Sequence, residues 1–428
     1  QLYIIGDLVA TQSAFFYGDF NGNGYTISNY HIKDYVIDQE VYMNVFTPYI
    51  GVFGFAGAAV GARAANIYNL NVENFEISAD VTSATIIGGR DDKNDKSFAV
   101  GGIVGYSVGA TLTGCSASGK IEVTAAADSP AFAGGLVGYQ TAAADTSVRY
   151  YSAVRSCSSA VNITGYSGRI YAAGGITGYL ASLNRGTSSF ILNSYNTGEV
   201  RGAMNVGGIV GILGANSSVG NCYNTGYVSA ASRETLVMGN NEQFAYAYAG
   251  GIAGFMDSDT IVYNCFGAGE TPFAYSVNGD KYAAADGIAA FKAEGGEFYV
   301  ETQKAVLMNN EVKGDGVYNK AFFIGNLKWN EVDWKFGEGE YPVINHSSEE
   351  THFSYNIVFD LKGNEIDGST RVTVNAEDVY LPMSLWNLQQ DGFAEFLDAD
   401  NGLRRAIEKS NVFSVERIIR SKYQRAVA

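Results

Sequence analysis

A glycine-rich word of six residues recurs along this chain of 428 residues. Its copies occupy residues 101–106, 134–139, 174–179, 207–212 and 250–255, and each begins with two glycines. Successive copies start 33, 40, 33 and 43 residues apart. Self-similarity at a period of roughly 20–50 residues is the signature of repeat architectures. The chain is therefore predicted to be a solenoid in which each repeat stacks on the next.

Two further words follow each glycine word. The second occupies residues 114–116, 156–158, 193–195, 221–223 and 264–266, and the third closes each unit, as in residues 119–123, 161–164 and 198–200. Short β-branched or alternating segments separated by Gly, Asn and Ser are typical of strands joined by tight turns. Each repeat is therefore predicted to form three strands, and one coil of a right-handed parallel β-helix. The paired glycines are expected at corners that need a positive φ or a close backbone approach.

The four cysteines occupy one position of the second word, and Ser194 stands at that position in the remaining copy. Equivalent side chains of adjacent coils stack at the strand spacing of about 4.8 Å. A disulfide prefers a Cβ separation of about 3.8 Å. We therefore expect four buried thiols in an internal row and no disulfides.

The words at residues 101–106, 134–139 and 221–228 resemble GLUG repeats, which occur in secreted and cell-surface proteins, including regions attached to immunoglobulin A peptidases. The resemblance covers about residues 15–344. It implies a β-helix that serves as a stalk or adhesive surface, located outside the cell or on its surface. No part of the chain resembles the peptidase part of those proteins.

The repeat pattern divides the chain into a β-helix and an extension. Residues 1–344 are assigned to the β-helix, with N-terminal coils in 1–100, regular repeats in 101–285, and a degenerate repeat and cap in 286–344. The cap is placed at Trp329, Trp334 and residues 340–344, which resemble the ending of GLUG regions. Residues 345–428 are predicted to form a small α+β extension, with a β-hairpin around residues 362–365 and a basic helix within 401–423.

Composition limits the partners. The formal net charge is −16, which makes nucleic acid an improbable partner. No apolar run approaches the roughly 18 residues of a membrane-spanning helix. The chain begins at Gln1 without a basic and apolar leader, as would either a processed secreted protein or a fragment.

Three polar segments have features of metal sites. Asp19, Asn21 and Asn23 imitate a calcium loop, but its twelfth position holds Tyr30 rather than a carboxylate. The acidic residues of the insertion 88–96 are more simply explained as a solvated loop. The two histidines at positions 346 and 352 match no zinc-binding spacing. No metal and no cofactor is predicted.

Catalytic machinery is also not predicted. β-Helix enzymes that cleave polysaccharides need paired carboxylates or a base with a cation, which would form a row of acids in adjacent repeats. The third word instead carries Lys120, Asn162, Glu199 and Tyr227 in this row. We expect no catalytic residues and no enzyme activity.

Insertions of variable length at residues 141–151, 184–189 and 229–248 are the predicted recognition loops. Their candidate contacts to a glycan or a surface protein are Tyr150, Tyr151, Tyr246 and Tyr248, because aromatic rings offer an apolar face and a polar tip. The alternative is that these rings stack on neighbouring coils.

The C-terminal end has a charge opposite to that of the rest of the chain. Residues 403–428 have a net charge of +5, whereas the remainder has −21. This polarity favours docking of the basic end onto an acidic neighbour, such as another copy of the chain. The alternative is a helix with a solvated basic face. The candidate contacts are Arg404, Arg405, Lys409, Arg417, Arg420 and Lys422.

Three functions are compatible with these features. The first is an extracellular or cell-surface structural and adhesive protein that binds a glycan or a surface protein. The second is a subunit of an extracellular filament that docks through its basic end. The third is a β-helix polysaccharide lyase or glycoside hydrolase, which would need a groove lined by acids and aromatic residues.

Overall fold

A computed structural model describes residues 16–36, 40–42, 49–57, 64–81, 85–87, 98–125, 131–144, 149–150, 152–168, 170–182, 188–233, 236–238, 241–243, 246–293, 305–346, 355–358 and 371–374. The chain divides into two units, Gln1–Val317 and Tyr318–Ala428. Residues 404–422, with the candidate assembly contacts, lie outside the described residues.

Four large sheets make up most of the first unit, and each coil of the chain contributes strands to the four sheets in turn. Sheet 1 contains Tyr49–Ile50, Phe98–Gly101, Ala131–Gly134, Ile170–Gly174, Asn205–Gly207, Ala247–Gly250 and Ala283–Asp286. Sheet 2 contains Phe53–Gly57, Val104–Val108, Val137–Ala144, Thr177–Ser182, Val210–Leu213, Ala253–Met256 and Ala289–Lys292, with Arg149–Tyr150 paired antiparallel to Val137–Ala144.

Sheets 3 and 4 follow in each coil. Sheet 3 contains Asp19–Asn21, Asn66–Tyr68, Thr111–Thr113, Ser152–Arg155, Ser189–Leu192, Ser217–Gly220, Thr260–Tyr263 and Val306–Met308. Sheet 4 contains Thr26–Ser28, His31–Val36, Asn71–Val81, Ser116–Ala125, Ser158–Gly168, Tyr195–Asn196, Val200–Gly202, Tyr223–Asn224, Val228–Ser232, Phe266–Gly267, Phe273–Ser276 and Glu311–Val312. The strands of successive coils pair in parallel, for example Val100 with Ala133. The predicted parallel β-helix is confirmed.

The coil has four sides, and the prediction of three strands per repeat is wrong. Two strands of each coil lack a word of their own: that of sheet 3, as in Thr111–Thr113, and that of sheet 1, as in Phe98–Gly101, whereas the second and third words lie together on sheet 4. The short apolar segment Phe98–Gly101 is buried along its whole length. A fully buried strand shows no alternation of polar and apolar residues, so its sequence lacks the period that marks a half-exposed strand.

The paired glycines stand at the corner between sheets 1 and 2, where backbones approach closely. A Cβ on Gly134 would overlap the carbonyl oxygen of Val137 and lie 2.8 Å from the amide nitrogen of Gly178. A Cβ on Gly135 would overlap the carbonyl oxygen of Gly175 in the next coil. Close approach, and not a positive φ, therefore explains these glycines.

A positive φ is instead found at the corner between sheets 3 and 4. The residues there have φ between 49° and 63°, and they are Asn69, Gly114, Ser156, Asn193, Asn221, Asn264 and Asn309. Asparagine tolerates this left-handed region better than most residues. The Asn221 amide donates to Asn193 Oδ1 at 2.9 Å, and Asn264 donates to Asn221 at 3.0 Å. This asparagine ladder links successive coils.

The residue after this corner forms the cysteine row. Cys115, Cys157, Cys222 and Cys265 are buried free thiols, as predicted. The backbone N–H of Cys115 donates to Cys157 Sγ at 3.3 Å, and that of Cys157 donates to Ser194 Oγ at 3.1 Å. Burial raises the pKa of the Cys157 and Cys222 thiols well above the ordinary value. These groups therefore act as small apolar side chains that also accept hydrogen bonds.

The interior of the coils is an apolar core. One row of sheet 3 shows its character. Its six central members are each at most 1% exposed, and they are Ile67, Leu112, Val154, Ile191, Val219 and Val262. Burial of each such side chain contributes about 1.5–3 kcal/mol. Equivalent positions in successive coils thus each bury an apolar side chain, and the hydrophobic effect stabilises every coil in the same way.

Smaller elements complete the description. Leu236–Met238 pairs antiparallel with Asn241–Gln243, Glu40–Tyr42 pairs parallel with Thr85–Ile87, and a 3-10 turn spans Asp280–Tyr282. In the second unit, a helix spans Lys320–Gly325, Trp334–Lys335 pairs antiparallel with Val343–Ile344, and Tyr355–Val358 pairs antiparallel with Arg371–Val374.

The second unit has its own aromatic centre. Phe323 stacks on Trp329 with 5.0 Å between ring centroids, and Trp329 stacks on Trp334 at 4.5 Å. All three side chains are at most 2% exposed. Their predicted role as a cap of the β-helix, and the boundary at residue 344, stay predictions.

Candidate binding surface

Two adjacent rows of side chains run along the outer side of sheets 1 and 2, and we call them together the aromatic stripe. The row of sheet 2 is Phe55, Tyr106, Tyr139, Tyr179, Ile212, Phe255 and Phe291. The row of sheet 1 is Tyr49, Ala99, Phe132, Ala172, Asn205, Tyr248 and Ala284. Nine of these fourteen residues are aromatic and none is charged, although 17% of the chain is charged.

The glycine word sets the direction of the tyrosines. The ladder pairs Val104 with Val137 and Tyr106 with Tyr139, but skips the glycine between them. Residues two apart in a regular strand point to the same face, so the irregularity at this glycine allows Tyr106 to point away from the side that Val104 faces. Val104 is accordingly buried in the interior core, whereas Tyr106 is half-buried on the outer side.

The rings of the stripe contact one another along the solenoid. Tyr139 and Tyr179 are parallel, with 4.8 Å between centroids, and Phe132 lies 5.2 Å from each of them. Tyr106 lies 4.9 Å from Tyr139 but is turned by 75° relative to it. Aromatic pairs at these distances each contribute about 0.5–1.5 kcal/mol beyond their burial. The stripe is therefore a packed outer layer and not a set of isolated rings.

The stripe has an interruption at the fifth coil. Ile212 and Asn205 occupy the two rows there, and both are buried. The rings resume in the next two coils, where Phe255 stacks on Phe291 at 4.8 Å and Tyr248 lies 5.1 Å from Phe291. The stripe thus consists of a longer and a shorter aromatic segment.

Two tyrosine hydroxyls of the stripe, those of Tyr139 and Tyr248, have raised pKa values and are therefore neutral at physiological pH. Burial, followed by the neighbouring tyrosines, raises the pKa of Tyr139 well above its ordinary value. Burial and the nearby Tyr246 raise the pKa of Tyr248 to about 12. These groups can donate and accept hydrogen bonds, but they add no charge to the surface.

The structure brings two of the predicted contact residues together beside the stripe. Tyr246 is 40% exposed and stacks on Tyr248 with 5.6 Å between centroids. Tyr282 packs edge-on against Tyr246 at 5.4 Å. Tyr248 itself belongs to the stripe and stacks on the ring of Phe291 in the next coil, which is the alternative considered from the sequence.

The other two predicted contact residues are only partly described. The backbone of Tyr150 pairs antiparallel with Ala143 of sheet 2, and Tyr151 lies outside the described residues. Tyr150 is therefore placed beside the C-terminal end of the strand that carries Tyr139.

The predicted insertions leave the coils at the two corners that border the stripe. Residues 145–151 and 183–188 connect strands of sheet 2 to strands of sheet 3, and residues 233–246 connect sheet 4 to sheet 1. Because the stripe lies on sheets 1 and 2, the insertions enter and leave the β-helix on either side of it.

The sheet 4 side of the β-helix has a different character. Lys33 and Glu76 form an ion pair at 2.7 Å, and Lys120 pairs with Glu122. Lys33 holds the pKa of Glu76 below its ordinary value. The absence of charge is therefore a property of the stripe and not of all outer faces.

The polar segments considered as metal sites have structural contacts. Asp19 Oδ1 accepts a hydrogen bond from Asn66 at 2.9 Å, and Asn21 Oδ1 accepts one from the backbone N–H of Asn23 at 2.8 Å. Among the described residues, no group of three or more His, Cys, Asp and Glu side chains could hold a metal ion. The insertion 88–97 and residue 352 lie outside the described residues.

The stripe was not predicted from the sequence, although its signal was present. The sixth residue of the glycine word is aromatic in four of the five copies, at Tyr106, Tyr139, Tyr179 and Phe255. An aromatic residue at a fixed repeat position predicts a ladder of rings. The other row of the stripe lies on sheet 1, whose strands have no word of their own in the repeat pattern.

Two comparisons with known proteins give a match. The model of the GLUG motif matches residues 96–123, which span the strands Phe98–Gly101, Val104–Val108 and Thr111–Thr113. A solved structure of a proposed immunoglobulin A1 protease from Bacteroides ovatus is similar, with 19% identical residues, 77% of each chain covered and a TM-score of 0.39. No curated protein matches the chain.

Within the described part of the chain, no helix is long and apolar enough to cross a membrane. The resemblance to GLUG repeats is confirmed, and the chain is a parallel β-helix that carries a GLUG motif.

Proposed function

We propose that this chain is a non-catalytic extracellular or cell-surface protein, in which the β-helix is a rigid support and the aromatic stripe binds a glycan or a surface protein. The observation that carries the proposal is the uncharged double row with nine rings on a chain of net charge −16. The largest apolar patch on a typical soluble protein covers about 300–600 Å² and is often an interaction site. Aromatic residues are also enriched in binding surfaces.

The rigidity of the support favours binding. The stripe lies on strands that pair with neighbours in the adjacent coils, and the corners are fixed by close-packed glycines such as Gly134 and by the asparagine ladder. A surface that does not have to become ordered loses less entropy when a partner binds.

The chemistry of the stripe supports a non-catalytic role. Its titratable groups are tyrosine hydroxyls, and burial raises the pKa of Tyr139 and Tyr248. General acid–base catalysis works best when the pKa of the group is close to the working pH. The stripe is thus suited to recognition rather than to proton transfer. The GLUG motif supports a location outside the cell, because such repeats occur in secreted and cell-surface proteins.

A binding array tests the proposal. The full chain is applied to immobilised glycans and extracellular proteins, beside a variant that carries both Tyr106→Ala and Tyr248→Ala. The matched control is Tyr195→Ala on sheet 4, because this half-buried ring stacks on Tyr223 at 4.9 Å in a similar way.

We expect binding that the double variant loses and the control keeps. Circular dichroism confirms that the variants remain folded. A chain that binds no glycan and no protein, or one that binds equally well without the two tyrosines, would contradict the proposal. Release of product from a glycan or protein on the array would contradict the non-catalytic role.

A further inference from the structure

We infer that the partner of the aromatic stripe is a linear, uncharged glycan that lies along the axis of the β-helix. The inference rests on the proposed function and adds the chemical class and the orientation of the ligand. It follows from the shape, charge and backbone pairing of the stripe.

The stripe is long and narrow. It extends over seven coils, which at the strand spacing of about 4.8 Å corresponds to roughly 29 Å. Its two rows are in ring contact with each other, as in the 5.2 Å separation of Phe132 and Tyr139, so the width is about two rings, or roughly 10 Å. The outline of the stripe therefore covers roughly 300 Å². The accessible part is smaller, because five members are at most 6% exposed: Ala99, Phe132, Ala172, Asn205 and Ile212. Both areas are well below the roughly 800 Å² that each partner buries in a standard protein interface. A linear polymer that follows the axis matches this shape better than a globular protein.

The charge of the stripe favours an uncharged partner. None of its fourteen residues is charged, and the surrounding protein is strongly acidic. An anionic polymer would be repelled by this net charge, and a cationic one would find no counter-charge in the stripe. Sugars combine apolar C–H faces with a rim of hydroxyl groups, and tyrosine offers a matching ring and hydroxyl.

The backbone pairing excludes strand addition by a peptide. In this mode an extended peptide adds a strand to a free sheet edge. The strands that carry Phe132, Tyr139 and Tyr179 each pair with neighbours on both sides. A ligand on this surface therefore has to be held by side chains alone.

The interruption at Ile212 and Asn205 separates two aromatic segments, and this predicts how the affinity depends on the length of the glycan. A long glycan spans both aromatic segments, the one around Tyr106 and Tyr139 and the one around Tyr248 and Phe291. A short glycan reaches only one of them. The affinity should therefore increase with the length of the glycan until both segments are engaged, because the second contact is then intramolecular.

Calorimetry on the full chain tests this inference. The probes are uncharged gluco-, xylo- and manno-oligosaccharides from disaccharide to octasaccharide, with oligosaccharides of uronic acids as anionic comparators. We expect the affinity for one uncharged series to rise with length. Tyr106→Ala and Tyr248→Ala should each weaken binding of the longest member roughly tenfold, since loss of one stacking contact has about this effect.

Matched variants separate a loss of contact from a loss of folding. Tyr106→Phe keeps the ring and should change the affinity less than threefold or so, and Tyr195→Ala should leave it unchanged. An affinity that does not depend on length, or a preference for the uronic acids, would overturn the inference. If the stripe captures a protein on the array while calorimetry detects no uncharged oligosaccharide, the glycan assignment is wrong and the proposed function stands. If neither class binds, both fail.

Discussion

Replacement of Gly134 by alanine tests whether close backbone approach at the glycine corner holds the coils in register. A Cβ at this position would overlap the carbonyl oxygen of Val137, and it would lie 2.7 Å from the carbonyl carbon of Val137 and 2.8 Å from the amide nitrogen of Gly178. All these atoms belong to the backbone. Because no side chain can rotate away, the corner itself has to move.

The expected cost follows from two opposing terms. Overpacking of a well-packed site usually costs about 1–3 kcal/mol. At Gly134 the overlapping backbone is hydrogen-bonded to both neighbouring coils, so we expect a destabilisation of about 3 kcal/mol, the upper end of this range. Alanine also restricts the conformations of the unfolded chain, which stabilises the folded state by about 0.4–1 kcal/mol. We therefore expect the free energy of unfolding to fall by about 2–3 kcal/mol.

Gly24→Ala is the control, because Gly24 has a φ of 73° and a Cβ there would meet no atom within 4 Å. Gly24→Ala should lower the free energy of unfolding only by the strain of a left-handed alanine, about 1–2 kcal/mol. The assay is urea unfolding followed by circular dichroism, with hydrogen exchange to locate the weakened coils, since solenoids can unfold in parts. If Gly134→Ala is no more destabilising than Gly24→Ala, or if the lost protection lies far from its coil, the packing explanation is refuted.

Three further predictions follow from the corners, the thiols and the second unit. Ser156→Asn should raise the free energy of unfolding by about 1 kcal/mol, measured by urea unfolding. Ser156 has a φ of 49° and a buried hydroxyl without a hydrogen-bond partner, and asparagine at this position would extend the ladder to Asn193. A loss of stability would contradict this prediction. The four buried thiols should resist Ellman's reagent in the native chain and react in denaturant; fast native labelling would show that the row is open. Burial, and then Lys335, lower the pKa of His346. The folded state thus favours the neutral imidazole, so its contribution to stability is complete above the ordinary pKa of 6.5 and decreases as the pH falls below it. His346→Gln should remove this part of the pH dependence in thermal unfolding, and an unchanged profile would contradict it.

The repeat itself carried most of the information about the fold. Side chains at one position of a coil meet only their equivalents in the neighbouring coils, so the spacing of Gly101 and Gly134 is enough to predict stacking. The same reasoning placed the four cysteines in one buried row, which the structure confirms. Turn chemistry was harder to predict, since glycine serves both close approach, as at Gly134, and a positive φ, as at Gly114.

The fourth side of the coil and the aromatic stripe depend on information that a repeat period does not contain. The strand Phe98–Gly101 is buried along its length and has no alternation to mark it. The outward direction of Tyr106 depends on the irregularity at the skipped glycine of its ladder. The sequence marks Tyr246 and Tyr248 only by their position near an insertion, and the sheet register is what shows that Tyr248 shares a surface with Phe255.

Hydroxyl-radical footprinting is the most direct test of the claim that the stripe is the binding surface. The full chain is oxidised with and without the longest uncharged oligosaccharide that binds it, and the modified tyrosines are identified by mass spectrometry. We expect protection at Tyr106, Tyr246 and Tyr248, and no change at Tyr195 or at Tyr25, which is 77% exposed. Protection of Tyr25 or Tyr195 with an unchanged stripe would place the ligand elsewhere and contradict the account.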